Sequence, residues 1–320
     1  MNKEDIQIEI SAVIASWNTK DILLQCLRSL VGSLGRFRSE IIVVDNASSD
    51  GSPQSVEAAF PEVRVLRNSS NLGFARANNT GIRNSTGRYV CLVNSDVIVR
   101  EGCIDRMHAY MEKHPETGML GPKILGPDGS VQRSCMGFPT VWNSLCRAMA
   151  LDSIFPERKM FGGQLLTYWP HDTLKKVDVI NGCFWLIRRS ALDQVGLLDE
   201  SFFMYAEDID WCRRFHEKGW SVVFLPDAEA VHYGGASSAL MPVRFYIEKQ
   251  RANLQYWRKY HSAPARSAYF STLVLHEIVR LLFHCVPRRK KGPKSSESVL
   301  KIKRSIACLR WLLLDHAGPH

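Results

Sequence analysis

The chain has 320 residues, 45% of them hydrophobic, which is enough for one large domain or two small ones, each with a buried core. Its net charge of +9 is unevenly spread: residues 241–320 carry 16 Lys and Arg against 4 Asp and Glu, while residues 1–240 carry 25 against 28. The basic excess is confined to the last quarter. That excludes a chain-wide basic footprint for nucleic acid, and no zinc-finger or RNP pattern is present, so no nucleic-acid partner is expected.

In chain order, Ile8–Ser16 predicts a strand, and Asp21–Leu34 a helix with Ile22, Leu23, Cys26, Leu27 and Leu30 on one side. Glu40–Asp45 is a second strand, apolar on both faces, as in a parallel sheet covered by helices. A turn-rich loop over 46–53 leads to a helix at Gln54–Phe60 and a strand at Val63–Leu66. Phe74–Asn84 predicts a helix, Tyr89–Val93 a buried strand, and Cys103–Lys113 another helix. This alternation argues for a doubly wound α/β sheet. Gly126-Pro127-Asp128-Gly129 marks a hairpin turn. Cys135–Asp172, rich in aromatics, Pro and Gly, reads as a long loop with room for one helix, the kind of segment that often serves as a lid or binding loop. A strand at Val177–Arg188, a short helix at Ser190–Val195, a helix at Ile209–Lys218 and a strand at Trp220–Leu225 complete the expected domain over 1–240.

Residues 241–320 form the expected basic helical extension. Between Tyr269 and Val286, a polar line of Thr272, His276, Arg280 and His284 interrupts an apolar stretch too broken to span a bilayer. A basic segment, Pro287–Lys294, follows, and then Val299, Ile302, Ile306, Leu309 and Leu313 recur at three- and four-residue steps. Two amphipathic stretches around a polybasic segment predict contact with an anionic membrane surface; the alternative is docking of both helices on the protein itself. The nine cysteines form no Cys-x-x-Cys pair, and Met1–Glu9 is polar without a signal-peptide pattern. The expectation is a reducing cytoplasm, with the thiols as small apolar fillers, and a peripheral position on the inner face of the cell membrane.

The polar residues fall where an open α/β sheet binds ligands, beyond the carboxyl ends of its strands: Ser16 and Asn18 after the first, Asp45 and Asn46 after the second, Asn94, Ser95 and Asp96 after the fourth. An acid after a strand is commonly a turn or helix cap, so it is the shared rim position that suggests a site. No Gly-x-Gly-x-x-Gly follows the first strand and no Gly-Lys-Ser/Thr loop exists. Further along, Glu207, Asp208 and Asp210 crowd among Phe203, Tyr205 and Trp211. Such a cluster is either the acidic first turn of a helix or a carboxylate tuned to act as a general base.

The motifs together resemble glycosyltransferase family 2, the inverting enzymes of GT-A fold. They are Val13–Asn18, Val43–Gly51, Asn71–Asn79, Leu92–Asp96, Asn181-Gly182-Cys183, Glu207–Trp211 and His232–Gly235, in the family's order over about residues 8–240. Within the family they look most like bacterial rhamnosyltransferases of cell-surface polysaccharide assembly. The resemblance implies a mostly parallel central sheet with helices on both faces, a nucleoside-diphosphate-sugar donor (dTDP- or UDP-linked) and a glycan or lipid-linked glycan acceptor. It implies Asp208 as catalytic base with Glu207 tuning it, and a Mg²⁺ or Mn²⁺ ion held by Asp96 with His232. The first acid of the family's metal motif is replaced by Asn94. Donor contacts fall to Ser16, Asn18, Asp45, Arg76, Asn94, Ser95 and Asp96, and acceptor contacts to Gly182, Cys183 and Trp211. For Arg76 a solvated helix arginine weighs equally, for Trp211 and Tyr205 core positions are the commoner outcome, and His232 has a packing role as its alternative. Asp210 is expected to cap the helix or to pair with Arg213 or Arg214. Two other readings remain: a catalytically silent GT-A domain that scaffolds, and a sugar nucleotidyltransferase, which would need a Gly-rich basic loop that Ser16–Thr19 does not provide.

Overall fold

A computed structural model of the chain describes residues 7–235, 238–285 and 296–314; the basic segment 287–294 lies outside them. In chain order the elements are β1 (Ile10–Ser16), α1 (Lys20–Leu34), β2 (Ser39–Asp45), α2 (Ser52–Ala59), β3 (Arg64–Arg67), α3 (Phe74–Arg83), β4 (Tyr89–Val93), β5 (Val97–Val99), α4 (Cys103–Lys113), β6 (Thr117–Leu125), β7 (Val131–Gln132), β8 (Cys135–Met136), α5 (Val141–Ala148), α6 (Leu151–Ile154), α7 (Lys159–Gly162), β9 (Lys175–Lys176), β10 (Val179–Ile180), β11 (Phe184–Arg188), α8 (Arg189–Val195), α9 (Glu207–Glu217), β12 (Ser221–His232), α10 (Pro242–Tyr260), α11 (Ala263–Cys285) and α12 (Ser296–Leu313). They gather into two compact units. One comprises 1–137 and 170–237, the other 138–169 and 238–320. The break near residue 238 falls close to the 240/241 boundary read from the sequence, but segment 138–169 groups with the C-terminal helices.

The first unit is built on a mixed, mostly parallel sheet with its main strands in the order β3-β2-β1-β4-β11-β6-β12-β5. Strands β3, β2, β1 and β4 run parallel, β11 runs against both β4 and β6, and β12 is parallel to β6. On one face Ile10, Ala12, Ile14, Val43 and Cys91 bury against Leu23, Leu27 and Leu30 of α1 and Met107 and Met111 of α4. On the other, α3 lies close to β1 and β2 because Gly81 has no side chain: a Cβ there would stand 2.2 Å from Val13 Cγ1. Burial of both faces explains why β2 and β4 read as unbroken apolar runs.

Three expectations are corrected. Val177–Arg188 is two strands, β10 and β11, parted by Asn181-Gly182-Cys183, and β10 leaves the main sheet to pair with β8. Cys135–Asp172 holds three helices, α5 to α7, rather than one long loop. The last strand runs to His232, with a bulge between Leu225 and Glu229 that accommodates Pro226.

The second unit packs α12 and α5 against α11, and α12 also against α10. Its buried cluster comprises Leu273, Cys308, Trp311 and Leu312, with Tyr246, Leu254 and Phe270 around it. Among the described residues no helix is long and apolar enough to cross a membrane. Of the nine cysteines only Cys285 is exposed, so the others do serve as apolar filling.

Candidate active site

The carboxyl ends of β1, β2 and β4 bring the rim residues together. After β1, Asn18 adopts a left-handed backbone (φ 51°), which asparagine tolerates. Its N–H donates to Ser48 Oγ at 2.9 Å and its Oδ1 accepts the N–H of Ser49 at 2.8 Å, so the loops after β1 and β2 are fastened to each other. Ser16 Oγ lies 3.1 Å from Thr19 Oγ1, which donates to Ser95 Oγ at 3.0 Å. Thr19, not singled out in the sequence, thus ties the first strand's rim to the fourth's.

Asp45 is buried at the end of β2. Its Oδ2 accepts the N–H of Ser48 at 3.1 Å, while Oδ1, also buried, has no partner among the described residues. A buried acceptor left unsatisfied costs about 1–3 kcal/mol, so this oxygen is suited to a ligand hydroxyl or N–H. Asn46 faces inward, donating to Gly73 O at 3.2 Å and accepting from Asn68 at 2.8 Å. Arg76 turns to Glu200, 3.7 Å away, with its side chain half exposed.

Beyond β4, the Asn94 N–H donates to Cys183 O at 2.9 Å, and the Asn94 carbonyl accepts from Cys26 and Val97. The backbone of Asn94 therefore holds the Asn181–Cys183 segment against the rim. Asp96 is buried and its Oδ1 stands 3.3 Å from His232 Nε2. His232 Nδ1 faces Gln132 Oε1 at 3.0 Å, so Nδ1 donates there and Nε2 is turned toward Asp96. Two ligands at about 2.1–2.2 Å from one ion and at right angles to each other sit about 3 Å apart, so the spacing of this pair fits a shared divalent cation. A carboxylate with an imidazole suits Mn²⁺ better than Mg²⁺. Among the described residues no third His, Cys, Asp or Glu joins them, so a cation held here would take further ligands from other oxygen donors such as phosphate and water. Gln132 carries no sequence signal; it reaches His232 only because the 126–130 turn folds β7 back on β6.

The acid cluster opens α9. Tyr205 and Ala206 both have left-handed backbones (φ 70° and 60°), a strained entry that sets Glu207 and Asp208 in the first turn. Thus the helix-start reading and the site reading describe the same residues. Asp208 is half-buried and its Oδ1 accepts the N–H of Ile209 at 2.8 Å. Glu207 is buried, and burial, reinforced by the charges of Asp208 and Asp210, holds its carboxyl well above the usual range. Asp210 pairs with Arg214: Nε to Oδ2 is 2.9 Å, and the same guanidinium donates to the carbonyls of Val195 and Leu197. Cys183 sits among the acids. Burial pushes its thiol up to about 12, and the charges of Asp96 and Asp208 both add to the rise.

Trp211 is corrected. It is fully buried, its Nε1 donates to Gly196 O at 2.9 Å, and its ring meets Trp185 edge-on at 5.4 Å. It anchors α9 in the core and offers no ring face to a sugar. Gly182 lies over the same Trp185, 3.0 Å from where a Cβ would reach its ring.

The raised carboxyl of Glu207 has a stability consequence. The native state binds this proton more tightly than the unfolded chain, so its contribution is fully present below the ordinary value of 4.5 and is lost as pH rises through the raised native value. Glu207→Gln, which keeps the shape and cannot ionise, is expected to gain in Tm relative to the parent as pH rises from about 4.5 to about 8. A Tm difference that stays constant across that range would sink the assignment.

Gly73 fixes the acid loop from the other side. Its backbone (φ 85°, ψ 176°) is one that only glycine adopts readily, and a Cβ would stand 2.3 Å from Phe203 O, the atom that accepts the Phe74 N–H at 2.7 Å. Gly73→Ala is expected to cost about 1–3 kcal/mol in backbone strain alone, and to lower activity by displacing residues 203–208. Urea unfolding and a transfer assay check this; an alanine variant as stable and as active as the parent would show that the loop does not depend on the contact.

The sheet order and a rim of acids and hydroxyls define a glycosyltransferase of the GT-A class. The sequence profile of Glycosyl transferase family 2 matches residues 11–196, and the chain belongs to that family. It is 31% identical over 271 residues to an N-acetylglucosaminyl-diphospho-decaprenol L-rhamnosyltransferase of Mycobacterium tuberculosis, covering 78% of this chain and 86% of that one. It is 25% identical over 229 residues to a low-salt glycan biosynthesis hexosyltransferase of Haloferax volcanii, covering 70% and 67%. A mannosyltransferase from Pyrobaculum calidifontis, solved in complex with GDP-Man and Mn²⁺, shares the fold with a TM-score of 0.58 at 14% identity, over 97% of this chain and 88% of that one.

Proposed function

We propose that this glycosyltransferase moves a sugar, with inversion, from a nucleoside-diphosphate donor to a hydroxyl of a glycan or lipid-linked glycan, in cell-surface polysaccharide synthesis at the cytoplasmic face of a membrane. The donor sugar is rhamnose-like or another hexose, and the nucleotide dTDP or UDP. The Mycobacterium tuberculosis relative, named for rhamnosyl transfer to a diphospho-decaprenol-linked sugar, supports both the sugar and the lipid-linked acceptor. The observation that carries the reading is the rim at the strand ends, where Asp96 Oδ1 stands 3.3 Å from His232 Nε2, the Asn94 N–H donates to Cys183 O at 2.9 Å, and the Phe74 N–H ties the acid loop to the rim through Phe203 O at 2.7 Å.

In this reading the unsatisfied Oδ1 of Asp45 accepts from the nucleoside, and the Ser16–Thr19–Ser95 hydroxyls line the approach to the diphosphate. Asp96 and His232 hold the divalent cation, which when bound offsets the charge that gathers on the leaving diphosphate. Asp208 takes the proton of the acceptor hydroxyl as its oxygen attacks the anomeric carbon and the bond to the diphosphate breaks. Glu207, whose carboxyl is held well above the usual range by burial, stands beside that base and tunes it. Gly182 and Cys183 border the acceptor. A panel of dTDP-, UDP- and GDP-sugars, each with and without Mn²⁺, tests this by thermal shift and by mass detection of a glycosylated acceptor. Binding of a nucleotide-sugar with no transfer to any lipid-linked or soluble glycan would leave the scaffold reading in its place.

A further inference from the structure

The helices of the second unit do dock on one another, yet α12 keeps a second apolar line. Its inner face is Ser305, Cys308 and Leu312, all buried to 0% exposure against residues of α10 and α11. On the opposite face, Val299, Lys303, Ile306, Arg310 and Leu313 fall within about 80° of arc at 100° per residue. All five are exposed, Ile306 to 55% and Leu313 to 61%. Large apolar and cationic side chains alternate along this line, and no acid falls on it. A face meant for water alone has no need of three large aliphatics, and a face meant for a protein core has no use for the two cations. The setting matches: 138–169 together with 238–320 carries 19 Lys and Arg against 6 Asp and Glu, a net +13, whereas the catalytic unit is net −4. The end of α11 also exposes Ile278, Leu282 and Phe283.

We infer that the outer line of α12 is the surface that lies in the plane of an anionic phospholipid bilayer, with Val299, Ile306 and Leu313 among the acyl chains and Lys303 and Arg310 reaching to phosphate headgroups. Long cationic side chains placed between aliphatics serve such an interface, because their stems lie on apolar surface while their heads stay in the headgroup layer. A second copy of the chain is the poorer occupant, since a two-fold contact along this line would bring four cations together without an acid between them. This inference rests on the membrane-surface part of the proposed function and assigns it to particular residues.

The test is co-sedimentation of the full chain with phosphatidylcholine vesicles and with phosphatidylcholine–phosphatidylglycerol vesicles at low salt. The parent is expected to bind the anionic vesicles. Val299→Ser/Ile306→Ser/Leu313→Ser, all exposed positions, should bind at least about tenfold more weakly with an unchanged Tm. Lys303→Gln/Arg310→Gln should lose most of the preference for anionic over neutral vesicles, and keeps the result readable if the triple variant folds poorly. If the parent binds and both variants bind equally well, the membrane reading stands and this surface is overturned. If the variants only convert a dimer to a monomer, the line is a contact between copies and the inference is wrong. A parent that ignores anionic vesicles overturns the membrane reading itself.

Discussion

Asp208→Asn is expected to lower sugar transfer by roughly 10²–10⁴-fold while donor affinity stays nearly unchanged. The substitution keeps the size and the hydrogen bond that Oδ1 accepts from the Ile209 N–H at 2.8 Å, and removes only the capacity to take a proton. Its neighbour Glu207 is buried, with its carboxyl held well above the usual range by that burial and by the charges of Asp208 and Asp210. Asp210 is fully buried and bound to Arg214 at 2.9 Å. In the proposed reading the donor is held by the loops after β1, β2 and β4, and the acid loop is joined to the segment at Gly73 and Phe74 through their backbone contact with Phe203. Single-turnover transfer and donor titration, done on the same preparation, separate the two effects. An asparagine variant with near-parental turnover would remove Asp208 from its role.

The sheet was legible in the sequence wherever a strand is buried on both faces. Ile41–Val44 and Tyr89–Val93 are continuous apolar runs between turn residues, too short for a helix and too apolar for a loop. β6 left no comparable signal although it is central, between β11 and β12. It contains Gly118, Gly121 and Pro122, which read as loop. The glycines are there because neighbours occupy the space of their side chains: a Cβ on Gly118 would meet Phe215 and Trp220 at 2.8 Å, and one on Gly121 would meet Ile180 at 2.5 Å. Composition reports the turn-forming tendency and not the close packing that overrides it. The rim acids and hydroxyls were legible because strand ends locate them. Their supports were not. Thr19 and Gln132 reach partners 76 and 100 residues away in the chain, and Gly73 meets Phe203 from further still; only the folded register reveals such contacts. Trp211, buried in the core, was left open between two readings for the opposite reason: an aromatic beside an acid cluster looks alike in sequence whether its ring faces a ligand or the core.

Asp96 is expected to be as costly to lose as Asp208, but with a different signature. Asp96→Ala removes a buried carboxylate and deprives His232 Nε2 of the oxygen that stands 3.3 Å away, the one group placed to share a cation with it. If Asp96 and His232 hold the cation as proposed, with no third His, Cys, Asp or Glu beside them among the described residues, loss of one would leave it dependent on the donor diphosphate. Donor affinity and turnover should therefore fall together, by about 10²-fold or more in kcat/KM, rather than turnover alone. EDTA should abolish transfer by the parent, and Mn²⁺ should restore it more fully than Mg²⁺, since imidazole suits the softer ion. Gln132→Leu provides the graded control. It removes the acceptor that fixes the Nδ1 proton of His232, and should lower apparent Mn²⁺ affinity by about 10–100-fold without touching the cation. The Mn²⁺ dependence of donor binding, measured by calorimetry for parent, Asp96→Ala and Gln132→Leu, reads all three effects without relying on turnover. Full transfer in metal-free buffer, or an Asp96→Ala variant with the parent's Mn²⁺ response, would mean that the Asp96–His232 pair is a structural contact and that the leaving group is stabilised elsewhere.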